Sequence, residues 1–370
     1  MTRTYRLISG DSHINEPPDL WTSRVRAKFK DRAPRIERFE KGDAWVMEGS
    51  STPINFGNNA NGGMPPEKRS AWMRWEEIRQ GGYVPSVRLR EQDEDGVEAE
   101  ILFPTPRVSH NVFANNGDRE FHLDCIRAYN DWLSEYASHA PDRLVGIAMI
   151  PTTDVASAVA ELSRVAALPG LRGALIGRYP NGSLAPAAED DPFWARAEAL
   201  RMPVHIHVSL AAVASDDDPE RKKAGARGEL RHLDASLRTY EVISAGIFDR
   251  FPKLDFVFAE VDCGWIPYVK EQFDNRFHRR APGDRPPIAH PPSHYFDHNI
   301  ATTYVTDCFG IANRRSIGVD RMMWSSDYPH GGTDWPNSRR QIDADLAGLD
   351  AADRHALIAG NAVRIYRLGA

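Results

Sequence analysis

Eight short β-rich apolar runs, each followed by a stretch long enough for a helix, limit the folds open to this chain more than any other feature. They are "YRLIS" (5–9), "EAEILFPT" (98–105), "LVGIAMIP" (144–151), "LRGALIG" (171–177), "MPVHIHV" (202–208), "LDFVFAEVD" (254–262), "IATTYVTD" (300–307) and "RMMWSSDYP" (321–329). Runs that are apolar without alternation are what parallel strands buried under helices on both faces require. Between them lie amphipathic patterns such as "REFHLDCIRAYNDWLSEYASHA" and "DVASAVAELSRVAAL", the second opened by Asp154 as N-cap. Eight strands with helical crossovers predict an α/β fold, a closed (β/α)8 TIM barrel, and 370 residues suit one such domain spanning 1–370. A barrel of this kind carries its active site at the carboxyl ends of the strands.

Residues 22 to 90 interrupt the rhythm, and "INFGNNANGGMPPEK" within them is rich in Gly, Asn and Pro, so an irregular insertion after the first strand is expected. It lies on the carboxyl-end side, where the segment from Asn55 to Pro66 is placed to form a mobile flap. A second irregular stretch, 278–294, precedes the seventh strand. His290, His294 and His298 follow at four-residue spacing, but Pro291 and Pro292 argue against a helix through them and for a solvated or oligomer-facing loop. The tail "ADRHALIAGNAVRIYRL" reads as a closing amphipathic helix.

Charge and cysteine usage narrow the function. The net charge of −6 is scattered, leaving no basic footprint for nucleic acid or an anionic membrane, so the expected partner is a small molecule. Cys125, Cys263 and Cys308 are far apart and form no CxxC pair, which speaks against a disulfide framework or a thiolate zinc site. With no signal-like leader and no run of 18 apolar residues, a cytoplasmic protein is expected.

A barrel brings distant strand ends together. Asp11 and His13 lie two apart at the end of the first strand and therefore share a face. His205 and His207 lie on the fifth strand, Glu260 and Asp262 end the sixth, and Asp327 ends the eighth. Either fifth-strand histidine could ligate; His207, nearer the carboxyl end, is preferred. An oxygen and imidazole donor set of this kind suits zinc, manganese, iron or cobalt. Glu16 is placed either toward this site or as a turn cap, and His330, three beyond Asp327, is a candidate proton-transfer group. Arg107 and His110 past the second strand, with Arg178 and Tyr179 past the fourth, stand where substrate contacts would fall, and a carboxylate substrate needs such a cation.

Through "DSHINEPPDLW", "DGVEAEILFPT", "MPVHIHV", "RFPKLDFVFAE", "MMWSSDYPH" and "GNAVRIYRL" the chain resembles the amidohydrolase superfamily, in particular the amidohydrolase-related branch that contains aminocarboxymuconate semialdehyde decarboxylase and aromatic-acid decarboxylases. The resemblance covers nearly the whole length. It implies that Asp11, His13, His207 and Asp327 hold one divalent ion, zinc as first choice with manganese, iron or cobalt as alternatives, and that the protein forms at least a homodimer. The branch commonly has a histidine at the end of the sixth strand; here Glu260 stands there, as proton carrier or metal ligand. The expected reaction is non-oxidative decarboxylation of an aromatic or unsaturated carboxylic acid, with Glu260 and His330 as catalytic groups. Hydrolysis of an amide, lactone or related bond by metal-bound hydroxide is the alternative reading, and a catalytically silent binding barrel is the third.

Overall fold

In the computed structural model, which describes residues 3–211 and 231–369, eleven strands follow in chain order. They are β1 (Ile8–His13), β2 (Arg35–Arg38), β3 (Asp43–Val46), β4 (Ile54–Asn55), β5 (Ala99–Phe103), β6 (Leu144–Met149), β7 (Leu171–Leu175), β8 (Val204–His207), β9 (Phe256–Ala259), β10 (Ile300–Tyr304) and β11 (Met322–Trp324). Seven of the eight apolar runs contain, and the first overlaps, one strand of a parallel sheet ordered β1-β5-β6-β7-β8-β9-β10-β11, with helices in the crossovers. The fold is a (β/α)8 TIM barrel. Asp154 caps the helix Val155–Val165 by accepting from the Ser157 N–H at 2.9 Å. No described helix is long and apolar enough to cross a membrane.

The seam of the barrel lies between β1 and β11. Strand β1 begins three residues later than the apolar run that announces it and continues through Asp11 and His13. Between Ser9 and Ser12 its register shifts, three steps on β1 facing two on β5. Such a bulge re-aims side chains near an active site. Gly10 sits in that shift, and a Cβ there would meet the Met323 Cβ at 2.9 Å, so glycine lets the last strand close against the first. Closure is completed beyond β11, where the Asp327 N–H donates to the Asp11 carbonyl at 3.1 Å and the His13 N–H to the Tyr328 carbonyl at 2.7 Å.

The stretch expected to be irregular is partly ordered. It holds a short helix, Leu20–Arg24, and a three-stranded antiparallel sheet, β2-β3-β4, while residues 85–95 already form the helix leading into β5. Gly- and Asn-rich composition hid the sheet because β4 is only two residues long. Residues 56 to 62 turn inward: the Gly62 N–H donates to the Pro329 carbonyl and the Gly331 N–H to the Asn58 carbonyl, both at 2.8 Å. The insertion thus seats itself just past Asp327.

A second correction concerns the histidine ladder. A helix, Pro292–His298, does run through His294 and His298, because Pro292 takes its first position, where a missing N–H is harmless. The His290, His294 and His298 rings stack with neighbouring centroids 4.1 Å apart. The tail forms a continuous helical stretch, Ala351–Tyr366, with a π turn at Ala356–Gly360.

One buried histidine outside the site sets an acid limit. His122 is fixed as the neutral tautomer: one ring nitrogen donates to the Val112 carbonyl at 3.1 Å and the other accepts from the Thr152 N–H at 3.1 Å. Burial lowers its pKa to about 4. The stability it confers is therefore complete above the unfolded value near 6.5 and is lost as pH falls toward 4. In urea unfolding, the stability gap between wild type and His122→Asn should narrow by about 2 kcal/mol from pH 7 to pH 5. A gap that is constant with pH would contradict this reading.

Candidate metal centre

Asp11, His13, His207, Glu260, Asp327 and His330 converge at the carboxyl ends of β1, β8, β9 and β11. Asp11, His13 and His207 each offer a ligand atom within 4.8 Å of the others, and so do His13, Glu260, Asp327 and His330. His13 Nε2 lies 3.2 Å from Asp327 Oδ1 and 3.5 Å from Asp11 Oδ1. His207 Nε2 lies 3.3 Å from the same Asp11 oxygen and 3.7 Å from Glu260 Oε2. His330 Nδ1 is 2.8 Å from Asp327 Oδ1, and its ring stacks on His13 with centroids 3.9 Å apart. The Phe103 ring lies 5.0 Å from that of His207.

The tautomer of His13 decides what this cluster wants. Its Nδ1 faces the Pro104 carbonyl at 3.0 Å, so the ring proton sits there and the buried Nε2 turns a lone pair toward two carboxylate oxygens. Lone pairs facing lone pairs are stable only with a positive charge between them. A single proton can join one pair of these atoms, whereas a divalent ion joins all of them, and the donors fit such an ion. Burial dominates the acidities. Asp11 is pushed up to about 7 by burial, with His13 pulling against it and Asp327 adding to it. At Asp327 burial pushes upward too, but His330 and His13 outweigh it and hold that carboxyl below the ordinary range.

Backbone strain marks the same places. Glu260 and Asp327 take left-handed conformations, φ +57° and +53°, as does Val208 immediately after His207, at +59°. Such conformations disfavour residues other than glycine by roughly 1–2 kcal/mol each and persist where surrounding structure enforces them. Thr303 on β10 is part of that enforcement: its hydroxyl accepts from the Glu260 N–H at 2.8 Å and lies 3.3 Å from Asp11 Oδ2.

Several residues singled out in the sequence stand elsewhere. His205 is buried in the barrel, bound to the Ala174 carbonyl at 3.1 Å and the Tyr366 hydroxyl at 2.9 Å, so it ties the closing helix to the strands. Glu16 is buried outside both donor groups and accepts from the Thr105 N–H at 2.9 Å; burial pushes it up to about 7. Asp262 is also outside both groups. Arg107 holds the insertion by donating to the carbonyl and side-chain oxygens of Asn55. His110 lies in the helix Pro106–Ala114, which leaves the end of β5. Arg178, beyond the end of β7, makes a single 3.4 Å bond to the Gly182 carbonyl among the described residues, and its Nε is buried without a hydrogen-bond partner there.

The sequence reading missed Arg88. This fully buried residue donates to Glu100 at 2.6 and 3.1 Å, to the His13 carbonyl at 2.9 Å and to the Tyr328 carbonyl at 3.2 Å. It clamps the two strand ends that carry His13 and Asp327. The only available hint was a charged side chain one helical turn before Gln92, which shares Glu100 with it.

A barrel with donors at these strand ends defines a class, and the family model described as amidohydrolase matches residues 11–368, so the chain belongs to the amidohydrolase family. Among curated relatives, the decarboxylase orsB of Emericella nidulans is 28% identical over 56% of this chain and 65% of its own length. A gamma-resorcylate decarboxylase of Rhodococcus jostii is 27% identical over 77% of this chain and 88% of its own. Among solved structures, a dihydroxybenzoic acid decarboxylase of Polaromonas with bound manganese and 2-nitroresorcinol superposes with a TM-score of 0.68 at 20% identity, covering 99% of this chain and 98% of that one. A 5-carboxyvanillate decarboxylase of Novosphingobium aromaticivorans, with manganese and 4-hydroxy-3-methoxy-5-nitrobenzoic acid, gives 0.71 at 18%, covering 98% and 96%.

Proposed function

We propose that Asp11, His13, His207 and Asp327 hold one divalent ion and that the protein removes carbon dioxide, without oxidation, from an aromatic or unsaturated carboxylic acid. The observation that carries the metal is the His13 lone pair aimed at two carboxylates in a buried site. The reaction type is supported by the decarboxylases among its relatives. When bound, such an ion supplies a Lewis-acid anchor for a carboxylate and a neighbouring oxygen.

The chain's own residues do the rest. Residues 56 to 62 of the insertion, tied to Pro329 and Gly331 by backbone hydrogen bonds, are the segment we assign to covering the site. Arg178, with His110 and Arg107 at the rim, offers charge to the acid. As the carbon–carboxylate bond breaks, its electron pair stays on the substrate carbon and carbon dioxide leaves; the Glu260 carboxyl delivers a proton to that carbon and regains one from solvent. His330 orients Asp327 through their 2.8 Å contact. Two imidazoles and two carboxylates suit zinc and manganese alike. Zinc is our first assignment and manganese its competitor, and we carry a homodimer forward as the assembly.

Metal analysis of protein purified without chelator should give one divalent ion per chain. Chelation should abolish release of carbon dioxide from dihydroxybenzoate-type acids, and reconstitution with zinc or manganese should restore it. Protein that holds no stoichiometric metal and gains none would sink the proposal. Glu260→Gln should keep its metal while turnover falls by about 10²-fold. Loss of metal in that variant would make Glu260 a ligand instead, and unchanged turnover would remove it from the chemistry.

A further inference from the structure

At the opposite end of the barrel, where the strands begin, lies a cavity of about 520 Å³. Its walls carry four cationic side chains, Arg201, Lys253, Arg364 and Arg367, and two carboxylates, Glu198 and Asp255. Both carboxylates are engaged. Glu198 accepts from the Lys253 backbone N–H at 2.7 Å, and Asp255 pairs with Arg321 at 2.8 Å. Arg364 donates to the Asp320 carbonyl. By contrast, the side chains of Arg201, Lys253 and Arg367 make no hydrogen bond or ion pair among the described residues, and the Arg367 Nε is buried without a partner.

Two backbone observations point the same way. Arg201 and Arg367 each end a helix in the left-handed conformation, φ +51° and +53°, where glycine is the unstrained choice. At both positions the chain keeps a long cation in a conformation that resists one, so the side chain is what the position supplies. The charges around Arg367 are also unbalanced: burial lowers its pKa, and the groups that add to this are Arg172 and Arg201, both cationic.

We propose that this cavity is a binding site for a phosphoryl group, free or as a phosphomonoester, held by Arg201, Arg367 and Lys253. Cations contributed to one cavity by three chain segments suit a tetrahedral oxyanion, whose acceptors point in several directions, better than a planar carboxylate. The site lies across the barrel from the donor cluster and is separate from the chemistry proposed there.

Titration calorimetry of the metal-loaded protein with inorganic phosphate, against sodium chloride at matched ionic strength, tests it. The double variant Arg201→Gly/Arg367→Gly relieves both strained caps and should fold at least as well as wild type, yet lose phosphate affinity by tenfold or more. Lys253→Gln is the second variant and should lose about threefold. Phosphate taken up at the donor cluster persists in both variants and forms the baseline. A parallel titration with glycerol 3-phosphate separates the sources: tighter binding of the ester marks an organic phosphate site, and tighter binding of inorganic phosphate a free-anion site. Identical phosphate isotherms in wild type and double variant, or a wild-type response no larger with phosphate than with chloride, would overturn the proposal.

Discussion

Asp327→Asn should lose its divalent ion and on the order of 10³-fold or more in turnover, the equivalent of several kcal/mol of charge stabilisation. The change keeps size and shape, so folding is spared while charge is removed. Three interactions depend on that charge: the oxygen facing His13 at 3.2 Å, the contact with His330 at 2.8 Å and the share of the ion. Metal content and turnover must fall together. If Asp327→Asn binds metal as wild type does, the centre is built without the eighth strand and the ligand assignment fails. Because left-handed Asn is well tolerated, the variant's thermal stability in chelator should fall only by what the His330 and His13 contacts contribute.

The second large effect belongs to Arg88→Met. Removing the cation leaves Glu100 buried and charged, and breaking one side of a buried pair destabilises by about 3–5 kcal/mol. Denaturant unfolding of the metal-free protein measures this directly. Adding Glu100→Leu removes the orphaned charge and should recover most of the stability, since apolar replacement of a whole buried pair is often neutral. Metal affinity should not recover with it. The His13 and Tyr328 carbonyls still lack the donor that held them at 2.9 and 3.2 Å, and outer partners of this kind are worth about 10- to 100-fold in affinity. Full recovery of metal binding in the double variant would show that Arg88 serves the fold alone.

The barrel was legible because parallel strands under helices leave an unmistakable apolar spacing: seven of the eight runs contain a strand and the first overlaps one. Donor positions were legible for a related reason: a strand end fixes direction, so Asp11, His13, His207 and Asp327 could be placed on one face before any contact was known. What escaped has no local signature. The role of Arg88 arises from contacts 75 and 240 residues away along the chain. That of Thr303 depends on which β10 side chain meets the Glu260 amide. The β2-β3-β4 sheet was masked by turn-forming residues around very short strands. His205 and His207 could not be told apart by alternation, and depth in the barrel separated them: one reaches Tyr366 at the floor, the other Asp11 at the mouth.

The seam between the first and last strands bears on how the protein is made. Its backbone bonds join residues 11 and 13 to residues 327 and 328, so they form only once the strands between have been made. During synthesis Asp11 and His13 leave the ribosome early, but alone they are a weak chelate. His207 emerges much later and Asp327 later still, 316 residues after Asp11. A growing chain therefore offers passing metal ions no complete cage. With the proposed ligand set, capture of the ion is deferred until the last strand is made and the barrel can shut.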